Sequence, residues 1–369
     1  MGFEGLCLGA SDQARIVAPQ YDKRRLAVNN TKRVTLLEEY FRAVLEAFYG
    51  EIEDSQKALA SALGSHRKIG VLDYTLGYPV RNLNEDIVCL FATFRHRVTE
   101  ALIAGLPLGG KDFFLDTSAD VFRWSFGNDV NFHVLTEGDD DLPSVQDVPG
   151  YMFWGSPACI SMRDSDDLIL GSDFTHAEIC QKAIVARQLL VNLGVPISST
   201  CFGHQLMGDF LGADVLPHGD ETIEEGLVGV NIASNACEIR RRFLGNAERN
   251  GLLAASNEEK VSGDSLDRER ALILMQVGNW VDSMLVILSA DAYKFNGDLA
   301  NNLGIVEGAM QLGRTVSLTS QLHWEFTLFK MIVETALYGV YFQPEQWAFV
   351  ARETRLQIDF LLKHGNLRA

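Results

Sequence analysis

The chain has 369 residues, 47% of them hydrophobic and 22% charged, enough to bury one large core or two smaller ones, which excludes disorder as its main state. With 32 basic against 49 acidic residues the formal net charge is -17, which argues against a nucleic-acid or anionic-membrane surface because phosphate binding needs clustered Lys and Arg. Cysteines at 7, 89, 159, 180, 201 and 237 form neither a CxxC pair nor a zinc-like spacing, so no metal is expected and a reducing, cytoplasmic compartment fits best.

The start, "MGFEGLCLGASDQARIV", lacks the basic and apolar regions of a signal peptide, and Leu6 stands where myristoylation wants Ser or Thr. No apolar run approaches the ~18 residues of a membrane span. The expectation is a soluble protein that is not exported. Residues 1–66 read as a helical extension, since "VTLLEEYFRAVLEAFYGEIEDSQKALASALG" spaces its apolar residues at helical intervals. That helix could pack on the remainder, form a homodimer or meet a partner.

From residue 67 to 369 strands and helices alternate. "KIGVLDYTL" reads as a buried strand, "EDIVCLFATFRHRVTEALIAGL" as helical, and "KDFFLD", "NFHVLTE" and "GYMFWGS" as strands. The segment "DFTHAEICQKAIVARQLLVNLG" is the clearest helix, stopping at Gly194 before a central strand, "VPISSTC". Further strands are expected at "LVGVNIA", "ALILMQV", "MLVILSA" and "TVSLTSQLH", then closing helices at "FTLFKMIVETALYG" and "QPEQWAFVARETRLQIDFLLKHG". The alternation predicts an α/β fold with a mostly parallel sheet and helices on both faces.

Within that fold Cys201 stands at the carboxyl end of a central strand, where ligands bind in such sheets. A nucleophile on a tight strand-to-helix turn needs small neighbours, and Ser199 and Gly203 supply them. The following helix N-terminus would favour the thiolate and offer amides to an oxyanion. The alternative is that Cys201 is a small buried hydrophobe, the reading kept for the other five cysteines. Cys7, in "GLCLGASDQ", imitates the motif without a strand before it.

The stretch "CFGHQLMGDFLGADV" resembles the nucleophile motif of class I (triad-type) glutamine amidotransferases. The resemblance extends to "HVLTEGDDDLPSVQDVPGYMFWGSPACISMRDSDDLI", to "LPHGDETIEEGLVGVNI" with Glu224 and Gly226, and to "EGAMQLGRTVSLTSQLHWEF". It covers about residues 67 to 335 and lies closest to stand-alone members, GMP-synthase-like amidotransferases and γ-glutamyl hydrolases. It implies a flavodoxin-like fold and a Cys-His-Glu triad. His323 and Glu325 in "QLHWEF" are two apart and so share one side of an extended strand, whereas "YFQPEQ" carries the non-titrating Gln343 where a base would stand. Trp324 stands where the family has Pro.

By the same resemblance the oxyanion would meet the backbone amides of Phe202 and of Gly155 or Ser156, Gln205 would touch the glutamine moiety, and His204 would be structural. His176 and His218 read as surface residues, and Asn279 and Asp282 as altered substrate contacts. The implied reaction cleaves a glutamine or γ-glutamyl amide through a thioester, with no cofactor. Three functions stay open: an amidotransferase feeding ammonia to a synthase partner, a stand-alone γ-glutamyl hydrolase, and an inactive binding relative. No pyrophosphatase loop or phosphate loop is recognisable, so an ATP-using acceptor step would fall to the partner.

Overall fold

The computed structural model describes residues 34–47, 50, 68–104, 114–126, 131–136, 148, 150–217, 224–232, 234–241, 250–257, 259–288, 294–296, 298–311, 316–321, 323, 332–333, 336–337 and 344–365. The strands are β1 (Lys68–Asp73), β2 (Asn131–Thr136), β3 (Tyr151–Phe153), β4 (Ile197–Thr200), β5 (Val215–Pro217), β6 (Glu224–Ile232), β7 (Asn250–Asn257), β8 (Glu259–Ser262), β9 (Ala271–Val277), β10 (Trp280–Ile287) and β11 (Val316–Ser320). Helices are α1 (34–47), α2 (Tyr78–Phe94), α3 (Arg97–Ala104), α4 (Ser118–Phe126), α5 (His176–Leu193), α6 (Phe202–Phe210), α7 (Ser234–Ile239), α8 (Leu299–Gln311) and α9 (Pro344–Gly365). None of the described helices is long and apolar enough to cross a membrane.

Five strands run parallel in the order β2-β1-β3-β4-β11. Renumbered by chain position among themselves these are 2-1-3-4-5, the flavodoxin-like doubly wound order. The α/β class expected from the alternation of elements is therefore the observed one. Beyond β11 the sheet continues through β10, β9, β6 and β7 with antiparallel pairing, and β8 and β5 branch from β10. That antiparallel half is not foretold by the alternation. The strand expected at "KDFFLD" is absent at its described residues 114–116. There Leu115 gives its amide to the Asn84 side chain at 2.8 Å and accepts the Asn84 amide nitrogen at 2.8 Å, which closes its backbone without a sheet partner.

Side chains alternate across the strands, so the sheet has two apolar faces. Ile69, Val71, Met152, Trp154, Val316 and Leu318 face one core with α2, α4, α8 and α9, while Leu72, Tyr151, Phe153, Ile197 and Met284 face the other with α5 and α6. Ser198 and Thr200 point to the first face and are satisfied there, both donating to Gln357 of α9, at 2.9 and 2.7 Å. Helix α5 begins at a capping box, in which the Glu178 amide donates to Thr175 and the Thr175 amide to the Glu178 carboxylate. It ends at Gly194 in the left-handed region, φ 65°.

Helix α1 belongs to the first core, where Leu37, Phe41 and Val44 are buried. Their spacing of four and three puts all three on one side of the helix. Residues 1–33, 48–49 and 51–66 of the expected extension lie outside the described residues. Because Phe41 is 2% exposed, Phe41→Ala should cost about 3–5 kcal/mol, read as a fall in the denaturation midpoint of the full chain.

Candidate functional site

Parallel pairing of β3, β4 and β11 brings three segments to one end of the sheet. Phe153 pairs with Ser199 and Thr200 with Ser320, so the chain leaves all three strands at the same level. Gly155 and Cys201 each lie two residues beyond the Phe153–Ser199 pair. The Cys201 amide donates to the Ser320 carbonyl at 3.0 Å, and His323 follows three residues later, at most roughly 10 Å of chain away. Cys201 and His323 are both buried. Glu325 and Trp324 lie outside the described residues, as does His218.

Cys201 has φ 51° and ψ -113°, a conformation that a residue with a Cβ rarely adopts. Such strain costs on the order of 1–3 kcal/mol and persists where the surroundings over-determine it. Here they do. The Gln205 amide donates to the Cys201 carbonyl at 3.0 Å, starting α6 immediately after the turn. Gly203 lets that helix lie on the sheet: a Cβ there would come 2.6 Å from the Phe153 Cβ, 3.0 Å from the Phe153 carbonyl oxygen and 3.2 Å from the Ser199 Cβ. The first amides of α6, Phe202 included, lack intrahelical acceptors by geometry and lie beside Cys201.

His204 sits under this turn, completely buried. Its Nε2 lies 2.8 Å from the Val281 carbonyl, which can only accept, so Nε2 carries the proton and the Thr319 hydroxyl donates to Nδ1 at 2.8 Å. Burial pushes its pKa down to about 4, against a smaller opposing effect of the Val281 bond. With both ring nitrogens engaged and charging disfavoured, His204 ties α6 to β10 and β11.

The loop after β3 carries Gly155 and Ser156. Trp154 continues the pairing with β1, its amide donating to Leu72 at 3.0 Å, and the Ser156 hydroxyl accepts the Ala158 amide at 3.0 Å. His176, expected on the surface, is instead buried, because the capping box turns the first residue of α5 towards this loop and its Nδ1 accepts the Cys159 amide at 3.0 Å. Glu259 of β8 holds the next two residues, and its carbonyl accepts the Gln205 side-chain nitrogen at 3.0 Å. Both anchors were missed in the sequence, and "NEEKVSG" contains no signal that separates Glu259 from its neighbour. Cys180 underlies the loop, its thiol 3.6 Å from the Cys159 carbonyl, with a pKa pushed up to about 12 by burial and then by the charge of Glu259. It is a structural thiol.

Asn279 and Asp282, expected as altered substrate contacts, each tie separate segments of the protein together. The Asn279 amide nitrogen donates to Asp264 at 3.0 Å, and the Asp282 carbonyl accepts the Gln321 amide at 2.8 Å, steering the segment that leads to His323.

No protein-family model matches the sequence, and no curated protein matches it. Among solved structures the chain is similar to a glutamine amidotransferase from Thermotoga maritima, at 12% identity and a TM-score of 0.41, covering 82% of this chain and 98% of that one. It is also similar to a glutamine amidotransferase from Methylobacillus flagellatus, at 14% identity and a TM-score of 0.37, covering 82% and 92%. Both likenesses are distant, and the fold rests on the strand order.

Two outcomes are expected of the elbow. Gly203→Val should destabilise the chain by about 1–3 kcal/mol, because the added side chain would meet the Phe153 backbone as well as side chains, read by denaturant unfolding. For His204, a folded pKa near 4 below the ordinary 6.5 means that the unfolded chain takes up the proton first on acidification. Its contribution is whole above pH 6.5 and erodes as the pH falls to about 4, by on the order of 3 kcal/mol. Unfolding free energies at pH 7 and pH 4.5 should show this drop in the wild type and a smaller one in His204→Gln.

Proposed function

We propose that the chain is a cysteine-dependent amidohydrolase of glutamine amidotransferase type, acting on the side-chain amide of glutamine or of a γ-glutamyl compound. The observation that carries the reading is the strained turn at Cys201, φ 51° and ψ -113°, between the buried end of β4 and the first turn of α6. A core cysteine has no need of that backbone, whereas a nucleophile projected from a strand-to-helix turn does.

In the proposed reaction the Cys201 sulfur attacks the amide carbonyl carbon, and the carbonyl oxygen takes up negative charge facing the amides of Phe202 and of Gly155 or Ser156. His323 accepts the thiol proton and passes it to the leaving nitrogen, so that ammonia or an amine departs and a γ-glutamyl thioester remains. Water then adds to the thioester with His323 as the base, releasing the acid and the thiol. Glu325 is the proposed partner that orients His323, and Gln205 the contact to the glutamyl group through the amide oxygen left by its bond to Glu259. The steps need only these side chains and water. The ammonia would feed a synthase partner carrying the ATP-using step. The same site without a partner would make a γ-glutamyl hydrolase.

Ammonia release from L-glutamine and from a panel of γ-glutamyl amides tests the reading. Cys201→Ala should abolish it, and His323→Ala should lower it by about 10² to 10⁴. Cys201→Gly should also be inactive yet at least as stable as the wild type, since glycine relieves the turn. Turnover that survives Cys201→Ala would sink the proposal.

A further inference from the structure

Glu259 lies where the antiparallel half of the sheet meets the candidate site. Its carboxylate accepts the amides of Ile160 at 2.7 Å and Ser161 at 2.9 Å, together with the Ser161 hydroxyl. Its carbonyl accepts the side-chain nitrogens of Gln205 at 3.0 Å and Gln321 at 3.4 Å. One residue thus joins the loop carrying Gly155 and Ser156, the helix that starts at Cys201, and the segment leading to His323. The residue is 2% exposed, and a carboxylate so buried is tolerable only when hydrogen-bonded.

Resting on the amidohydrolase reading above, we propose that Glu259 is a positioning residue that sets the Gly155 and Ser156 amides against Cys201. Oxyanion stabilisation is a matter of placement, because a donor acts only within hydrogen-bond distance of the oxygen that becomes charged. The loop has a fixed origin in β3, and its far side is anchored by His176 at Cys159 and by Glu259 at the next two residues. Only a carboxylate can accept both amides at once with two oxygens. A glutamine in its place would turn an NH₂ towards one of the two amides, donor against donor.

The test uses Glu259→Gln in the full chain, with ammonia release from L-glutamine, the rate of Cys201 alkylation by iodoacetamide, and amide exchange over residues 155–163. We expect kcat to fall by about 10- to 100-fold, short of the 10²- to 10³-fold seen when an oxyanion donor is removed outright. KM and the alkylation rate should stay near wild type, and exchange at Ile160 and Ser161 should quicken. An unchanged kcat, a loss confined to KM, or alkylation slowed in step with kcat would overturn the proposal. If Glu259→Gln fails to fold, Ser161→Ala removes one of the three bonds and should lower kcat by about 3- to 10-fold, with unchanged kcat counting against the proposal. Wild-type protein releasing no Cys201-dependent ammonia would defeat the functional reading instead. The tie is then judged by exchange alone, upheld by faster exchange at Ile160 and Ser161 in Glu259→Gln and overturned by unchanged protection.

Discussion

The parallel pairing of β11 with β4, closed by the Cys201 amide on the Ser320 carbonyl, holds together residues more than a hundred positions apart. Without it the turn at Cys201 would not lie beside the end of β11, three residues before His323. The pairing is itself held from both faces. On one, Gln357 of α9 takes the hydroxyls of Ser198 and Thr200; on the other, His204 of α6 takes the hydroxyl of Thr319. Ser198, Thr200 and Thr319 are thus paired inside the protein, which makes their burial tolerable and their register specific.

Close approach is the second constraint. Helix α6 can start directly after β4 because Gly203 leaves room for Phe153 and Ser199, and Gly208 does the same further along, where a Cβ would lie 2.7 Å from Val261. The helix is therefore clamped between β3 and β8. Strain at Cys201 is sustained by this packing, as expected where a well-packed core over-determines one backbone residue.

The antiparallel half of the sheet gives the fold a second role. Strand β8 reaches back under α6 and delivers Glu259 to the loop after β3, while β10 delivers the Val281 carbonyl to His204 and the Asp282 carbonyl to Gln321. Elements outside the parallel core thus supply the bonds that set the geometry at its carboxyl edge. Elsewhere the same economy of buried charge recurs: Arg240 of the α7 region pairs with Glu353 of α9, both almost fully buried, so neither is left as a lone charge.

What the amino-acid order settled unaided is local in origin. Buried parallel strands are written as short apolar runs and helices as a 3.6-residue period, so β1, β3, β4, α5 and α6 and the placing of Cys201 at a strand end could be read directly. The turn chemistry around Ser199 and Gly203 could be read too, since small residues there have a steric reason. Other features answer to contacts made across the chain. Glu259 binds Ile160 and Ser161 from 99 and 98 residues away, and His176 turns inward only because α5 is capped beside the loop it anchors. A hydrogen bond between distant segments leaves no periodic trace in either, so the anchors of the loop and the antiparallel pairing of strands already legible at β6, β9 and β10 emerged only once the chain was packed.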